Sequence, residues 1–290
     1  MVYGPLDVLD PNYLAITALV TFGYQFIFFT ITVIFRFDKV TDLAGGSNFF
    51  VLAVITYFLG GTFYPRQSID TVLVSIWALR LAGFLLYRII KWEKDNRFDE
   101  IRKKLIMLII FWTMQAVWVW TVSLPLTILN ASPLKPDISA LDYIGWTLFI
   151  IGFSLECFAD FQKLVYKNKN PKHWCDVGVW KWSRHPNYFG EMMLWWGLFM
   201  SACNVFSNGQ WAAIVSPLFI AFLLLFVSGI PAQEIAQDKR FKDSAFADEY
   251  AEYRKKTSPL LPIPPQIYAK IPNIPKMIFF CEFPFYKSKN

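Results

Sequence analysis

The sequence predicts an all-α integral membrane protein of about seven transmembrane helices with a cytoplasmic-side C-terminal tail. Three observations carry that prediction. Hydrophobic residues make up 55% of the 290 and charged residues only 17%, where a soluble domain carries roughly 25% charge. The apolar residues fall in runs near the ~20 that cross a bilayer as a helix. The Lys and Arg residues gather beside one end of those runs. This composition excludes an ordinary soluble enzyme and a disordered chain, and four Cys without paired spacing exclude a disulfide scaffold.

The expected spans are Tyr13–Phe35, Asn48–Tyr64, Ile69–Ile90, Leu105–Asn130, Leu141–Gln162, Asn187–Phe206 and Trp211–Ala232. The second is short, and the third holds Arg80 and Arg88. Long apolar runs without ~10-residue alternation argue against a β-barrel. Gly45-Gly46 is a turn signal. With seven spans, the connections on one side carry 2 Lys and Arg, and those on the other carry 24. Basic loops stay on the cytoplasmic or matrix side. Residues 1–232 form the expected transmembrane domain. Residues 233–290 form a tail with a short helix near Phe241–Tyr253 and a Pro-rich end on the membrane surface. The bilayer is thus the first partner.

Ionisable residues at span ends are expensive and mark function. Glu156, Asp160 and Lys163 share one face of the fifth span by i, i+4, i+7 spacing. Asn187 and Glu191 share one face of the sixth. Asp38 to Asp42, Lys94 to Asp99 and Tyr250 to Arg254 fall on the same side. Acids gain nothing from the positive-inside bias, so these point to a polar cavity. The string Gly178 to Glu191 leads through Arg184, His185 and Pro186 into a helix N-terminus, a natural place for phosphate. Lys181 and Arg184 add charge, and Asn187 and Glu191 offer hydrogen bonds to a carboxamide.

This string, GVWKWSRHPNYFGE, resembles the membrane-embedded steroid 5α-reductase-like proteins, and within them the branch that carries a GLW..SRHPNYFGE signature. KVTDLAGGSNFF (39–50), WALRLAGFLLYRI (77–89), DNRFDEIR (95–102), FWTMQAVWVWTVSLP (111–125), ECFADFQK (156–163) and YAEYRKKTSPLLP resemble it in the same order. The resemblance implies a seven-helix bundle with NADPH entering from the cytoplasmic side. It implies that Asn187 and Glu191 hold the nicotinamide end and Asp160 the adenosine or ribose part. Tyr253 and Arg254 would line the phosphates, with Lys163 and Arg184 as further phosphate partners by charge. The Gln-Glu pair with which steroid reductases polarise a ketone is missing. That region offers Asp38, Thr41, Asp42 and Asn48 instead, so a steroid substrate is not implied.

The expected reaction is NADPH-dependent reduction of an activated C=C bond in a lipid-like substrate. Asp42 or Tyr188 would supply the proton or stabilise the enolate. Trp112, Trp118, Trp120, Trp195 and Trp196 would surround the substrate. Two alternatives stand beside this. Isoprenylcysteine and phospholipid methyltransferases, which use S-adenosylmethionine, share an Arg-His-Pro-x-Tyr string and a late Tyr-x-x-Tyr. Here these are Arg184 to Tyr188 and Tyr250 to Tyr253, but Glu234 stands alone where those proteins carry an Arg…Glu-Glu element. The other alternative is an accessory subunit of a larger membrane complex that keeps the fold. No metal site is expected, because His173, Cys175, Asp176 and His185 lack paired ligand spacing. The basic runs Arg102-Lys103-Lys104 and Arg254-Lys255-Lys256 suit anionic lipid rather than nucleic acid. The endoplasmic reticulum is the expected membrane, with the mitochondrial inner membrane second.

Overall fold

A computed structural model describes residues 9–35, 40–92 and 104–287. Asp38, Lys39, the 94–99 loop and Arg102-Lys103 lie outside these. Among the described residues the protein is all-helical. Eleven α-helices carry it: α1 (Leu14–Phe35), α2 (Val40–Gly60), α3 (Pro65–Trp92), α4 (Leu105–Ala131), α5 (Ala140–Lys169), α6 (Pro186–Ala202), α7 (Val215–Phe222), α8 (Ile230–Phe241), α9 (Ala247–Lys256), α10 (Pro265–Tyr268) and α11 (Asn273–Phe280). Among the described residues six helical stretches are long and apolar enough to cross a membrane: α1, α2, Pro65–Arg88 of α3, α4, α5, and Asn208–Phe241. The seventh expected span is α6, a shorter helix of 17 residues.

Asp10 explains where α1 begins. Its carboxylate accepts from the backbone N–H groups of Leu14 (2.8 Å) and Ile16 (2.9 Å), donors that have no partner inside the helix. Thr17, Thr21 and Thr30 return their hydroxyls to carbonyls of their own helix, which keeps polar atoms paired along an apolar span. The connection before α3 comes four residues earlier than expected, at 61–64: Gly61 takes φ +61° and the helix opens on Pro65.

The second span starts well before Asn48. Gly45-Gly46 lies inside α2 rather than in a turn. A Cβ on Gly46 would sit 3.1 Å from the Ala82 backbone nitrogen of α3, and one on Gly45 would sit 3.1 Å from the Gln115 side chain of α4. The glycines allow close helix approach, which matters more inside a bilayer than their weak helix propensity. The last span is irregular. A 3₁₀ turn (Asn208–Ile214), α7 and a π-helical turn (Leu223–Val227) lead to a break at Gly229, and α8 follows. A Cβ at Gly229 would meet the Leu224 carbonyl oxygen at 2.6 Å. The single short helix expected near Phe241–Tyr253 is instead two, α8 and α9.

The chain divides into two compact units. Unit 1 holds Met1–Trp146 and Gly197–Phe219, and unit 2 holds Thr147–Trp196 and Ile220–Asn290. In unit 1, α1 to α4 pack on one another. Amides bridge them: Gln115 donates to Gln25 Oε1 (3.1 Å) and to the Thr41 carbonyl (3.0 Å), and Gln25 donates to Asn48 Oδ1 (3.0 Å). Arg66 forms a buried ion pair with Asp142 at 2.5 Å. In unit 2, α5 and α6 touch backbone to backbone. A Cβ on Gly190 would lie 2.5 Å from the Gly152 carbonyl oxygen, and one on Gly152 would lie 2.5 Å from that of Gly190.

Candidate cofactor site

The close α5–α6 contact sets the first part of the site. One turn beyond Gly152 and Gly190, both helices carry polar residues. Asn187 Nδ2 donates to Asp160 Oδ1 at 3.4 Å. Glu156 and Asp160 are buried, and Glu191 is half-buried one turn after Asn187. Asn187 Oδ1 is buried and has no hydrogen-bond partner among the described residues. A buried amide oxygen left unpaired costs roughly 1–3 kcal/mol, so it is an acceptor awaiting a donor. Asp160, Asn187 and Glu191, expected together from helical spacing, do lie along one helix pair.

The second part is built by the loop before α6 and the returning tail. Ser183 Oγ donates to the Leu260 carbonyl (2.7 Å), Arg184 N to the Ser258 carbonyl (2.8 Å), and Ile263 N to the Trp182 carbonyl (3.1 Å). At the centre sits Glu234 of α8, 1% exposed. Arg184 Nε donates to its Oε1 at 3.1 Å, and His185 Nε2 donates to the same oxygen at 2.8 Å. Arg254 Nη2 pairs with Glu234 Oε2 at 3.2 Å, by charge but outside hydrogen-bond geometry. Arg184 spends its other donors on protein as well: Nη1 on the carbonyls of Arg254 (2.8 Å) and Thr257 (3.1 Å), and Nη2 on Glu282 Oε1 (2.9 Å). Arg184 therefore ties loop to tail.

Charge follows from this packing. Burial alone would lower the Arg184 pKa, but Glu234 and Glu282 outweigh it and raise it, so the guanidinium stays charged. Burial lowers the His185 pKa, and the Glu234 hydrogen bond only partly opposes it. Burial raises the Tyr250 and Tyr253 phenols, which stay protonated donors.

A hollow of about 210 Å³ opens beside this joint. Lys163, Lys167, Arg184 and Arg240 line it with Glu234, among the rings of Trp174, Trp180 and Tyr253. Lys163 Nζ lies 4.6 Å over the Trp180 ring, and Tyr253 donates to the Trp180 carbonyl at 2.8 Å. The lining holds four cations and one carboxylate. Of the two residues expected to do chemistry, Tyr188 is in unit 2, its ring parallel to His185 at 5.5 Å. Asp42 is in unit 1, paired with Arg88 at 3.3 Å.

The family model described as "Protein of unknown function (DUF1295)" matches residues 28–257, most of the sequence: α2 to α9 lie within it, and the first part of α1 and the tail from Ser258 lie outside it. The chain belongs to that family. Over 145 residues, 44% of this chain, it is 25% identical to the protein-S-isoprenylcysteine O-methyltransferase of Saccharomyces cerevisiae. It spans 56% of that protein's length. No solved structure matches it.

Sequence reasoning placed Glu234 alone after the last span; in the structure it is the hub of the joint. Glu282 was not singled out, yet it closes on Arg184. The signal for Glu234 was its place where the methyltransferases carry an Arg…Glu-Glu element; Glu282, in the aromatic stretch FFCEFPFY, had none. Unit 1 adds a separate apolar hollow of about 390 Å³ between α1 and α4, with Trp112 in its wall. Trp112 and Trp118 bury indole N–H groups without hydrogen-bond partners among the described residues, whereas Trp120 donates to the Leu14 carbonyl at 3.2 Å.

Proposed function

We propose that this membrane protein is an NADPH-dependent reductase of an activated C=C bond in a lipid-like substrate. The observation that supports this best is charge. Four cations against one carboxylate around a single hollow favour a polyanionic cofactor. S-adenosylmethionine, with a sulfonium, an ammonium and one carboxylate, would meet like charge there. The unpaired Asn187 Oδ1 is a second support, since it fits an N–H of a carboxamide. When bound, NADPH supplies the hydride. Lys163, Lys167 and Arg240 hold phosphate, and Trp174, Trp180 and Tyr253 wall the hollow beside them. Arg184 and Arg254 act by keeping loop, α8 and tail together. Asp160 lies against Asn187, so both orient the same half of the cofactor along with Glu191. A hollow of 210 Å³ is below the ~300–1,000 Å³ of a whole ligand site, so it receives one part of the dinucleotide. Tyr188, in the same unit as the hollow, is the proposed proton donor to the enolate.

Titration calorimetry on the purified protein tests the cofactor. The expected result is NADPH binding that weakens at least about 10-fold in Asn187→Ala, one lost hydrogen bond in a buried site. Saturable binding of S-adenosylmethionine with none of NADPH would overturn the reading.

The second reading is a methyltransferase using S-adenosylmethionine. The similarity to the yeast enzyme supports it. So does the way Arg184-His185 and the Tyr250 to Arg254 helix meet on Glu234, because both strings are shared with such methyltransferases. The endoplasmic reticulum is the proposed membrane under either reading.

A further inference from the structure

A cavity separate from the cofactor hollow lies wholly within the tail of unit 2. Its volume is about 750 Å³, and α8, α9 and α11 wall it. Its lining is two-sided. Lys242, Arg254, Lys255, Lys276 and Lys287 bring five positive charges against three carboxylates, Asp238, Asp248 and Glu282. Two of those carboxylates are already committed. Asp238 pairs with Arg254. Glu282 pairs with Arg184 at 2.9 Å and accepts from Tyr268 at 2.6 Å. The Asp238–Arg254 pair cancels within the lining and Glu282 is spent on a cation outside it, which leaves the four lysines set against one carboxylate, Asp248.

The opposite lip is apolar. Ile274 and Met277 of α11 reach into the cavity, with Phe283 and Pro284 beside them. The same helix leaves Ile274 68%, Ile278 61% and Phe279 66% exposed. A short helix with that much bare apolar surface, in a segment beyond the last apolar span, belongs at the membrane interface. Its neighbour wall is lined with lysine. Cations next to exposed apolar side chains match one partner: a molecule with a negative head and a hydrocarbon tail.

We propose that this cavity is a headgroup site for an anionic phospholipid, with α11 dipping into the interface beside it. The lysine wall holds the phosphate and carboxylate of the head. Ile274 and Met277 line the start of the acyl region. The free phosphate ion fits the lysines but leaves the apolar lip unexplained.

Native mass spectrometry of the full chain in detergent micelles tests this, with phosphatidylserine, phosphatidylcholine and inorganic phosphate as probes. The expected result is a retained phosphatidylserine adduct and little phosphatidylcholine. Lys255→Gln/Lys287→Gln, two exposed positions, weakens retention by roughly five-fold per lysine, about 25-fold together. Ile278→Ser weakens it without changing charge. Equal retention of both lipids, or no loss in the lysine pair at an unchanged melting temperature, would overturn the proposal. Displacement of the lipid by inorganic phosphate or by NADPH would also overturn it, in favour of a soluble anion. NADPH binding is scored in the same spectra, so the lipid site stands or falls apart from the reductase reading.

Discussion

Glu234 is the residue on which unit 2 turns. It is a buried carboxylate facing Arg184, His185 and Arg254 from two directions. Removing one partner of a buried ion network strands the others, at about 3–5 kcal/mol. Glu234→Gln is therefore expected to lose about that much stability, measured by thermal or denaturant unfolding in detergent. Loss below about 1 kcal/mol would contradict a buried pair. His185 gives the molecule an acid sensitivity with a defined sign. Burial lowers its folded pKa below the ordinary 6.5. Below that value the unfolded chain takes up the proton while the folded chain resists, so stability falls as pH drops. Well above 6.5 neither state is protonated and the contribution is complete. A melting series from pH 8 to pH 5 should show this decline in the wild type and a flatter one in His185→Gln. Equal slopes would mean that His185 is charged in the fold.

At the scale of elements, α5 and α6 are held by glycine. Gly190→Ala puts a methyl 2.5 Å from a backbone oxygen that has no side-chain freedom to yield. Overpacking of this kind costs about 1–3 kcal/mol. It also parts Asp160 from Asn187, so NADPH affinity should fall together with melting temperature. Gly23→Ala in α1 meets no atom within 4 Å and should leave both unchanged. A fall in neither quantity for Gly190→Ala would remove the helix contact from the account.

The spans were legible in the chain because hydropathy acts within a segment of about 20 residues. The shared faces of Glu156 with Asp160 and of Asn187 with Glu191 were legible from i, i+4 spacing, and the span count put both pairs at one end of their helices. Gly45-Gly46 misled because its reason is a neighbour: the glycines serve Ala82 and Gln115, not the local backbone. The pairing of Glu234 and Glu282 with Arg184 was unreadable for the same cause at longer range. Their partner Arg184 lies 50 and 98 residues earlier, and nothing near either acid announces it.

For the whole molecule, the central claim is that unit 2 carries a cation-lined site for a nucleotide cofactor. Photolabelling the purified protein with an azido-adenine analogue of NADP, followed by peptide mapping, tests it most directly. The predicted result is label on Trp174, Trp180 or Tyr253, suppressed by excess NADPH and not by S-adenosylmethionine. Label in unit 1, or label that only S-adenosylmethionine suppresses, would contradict it.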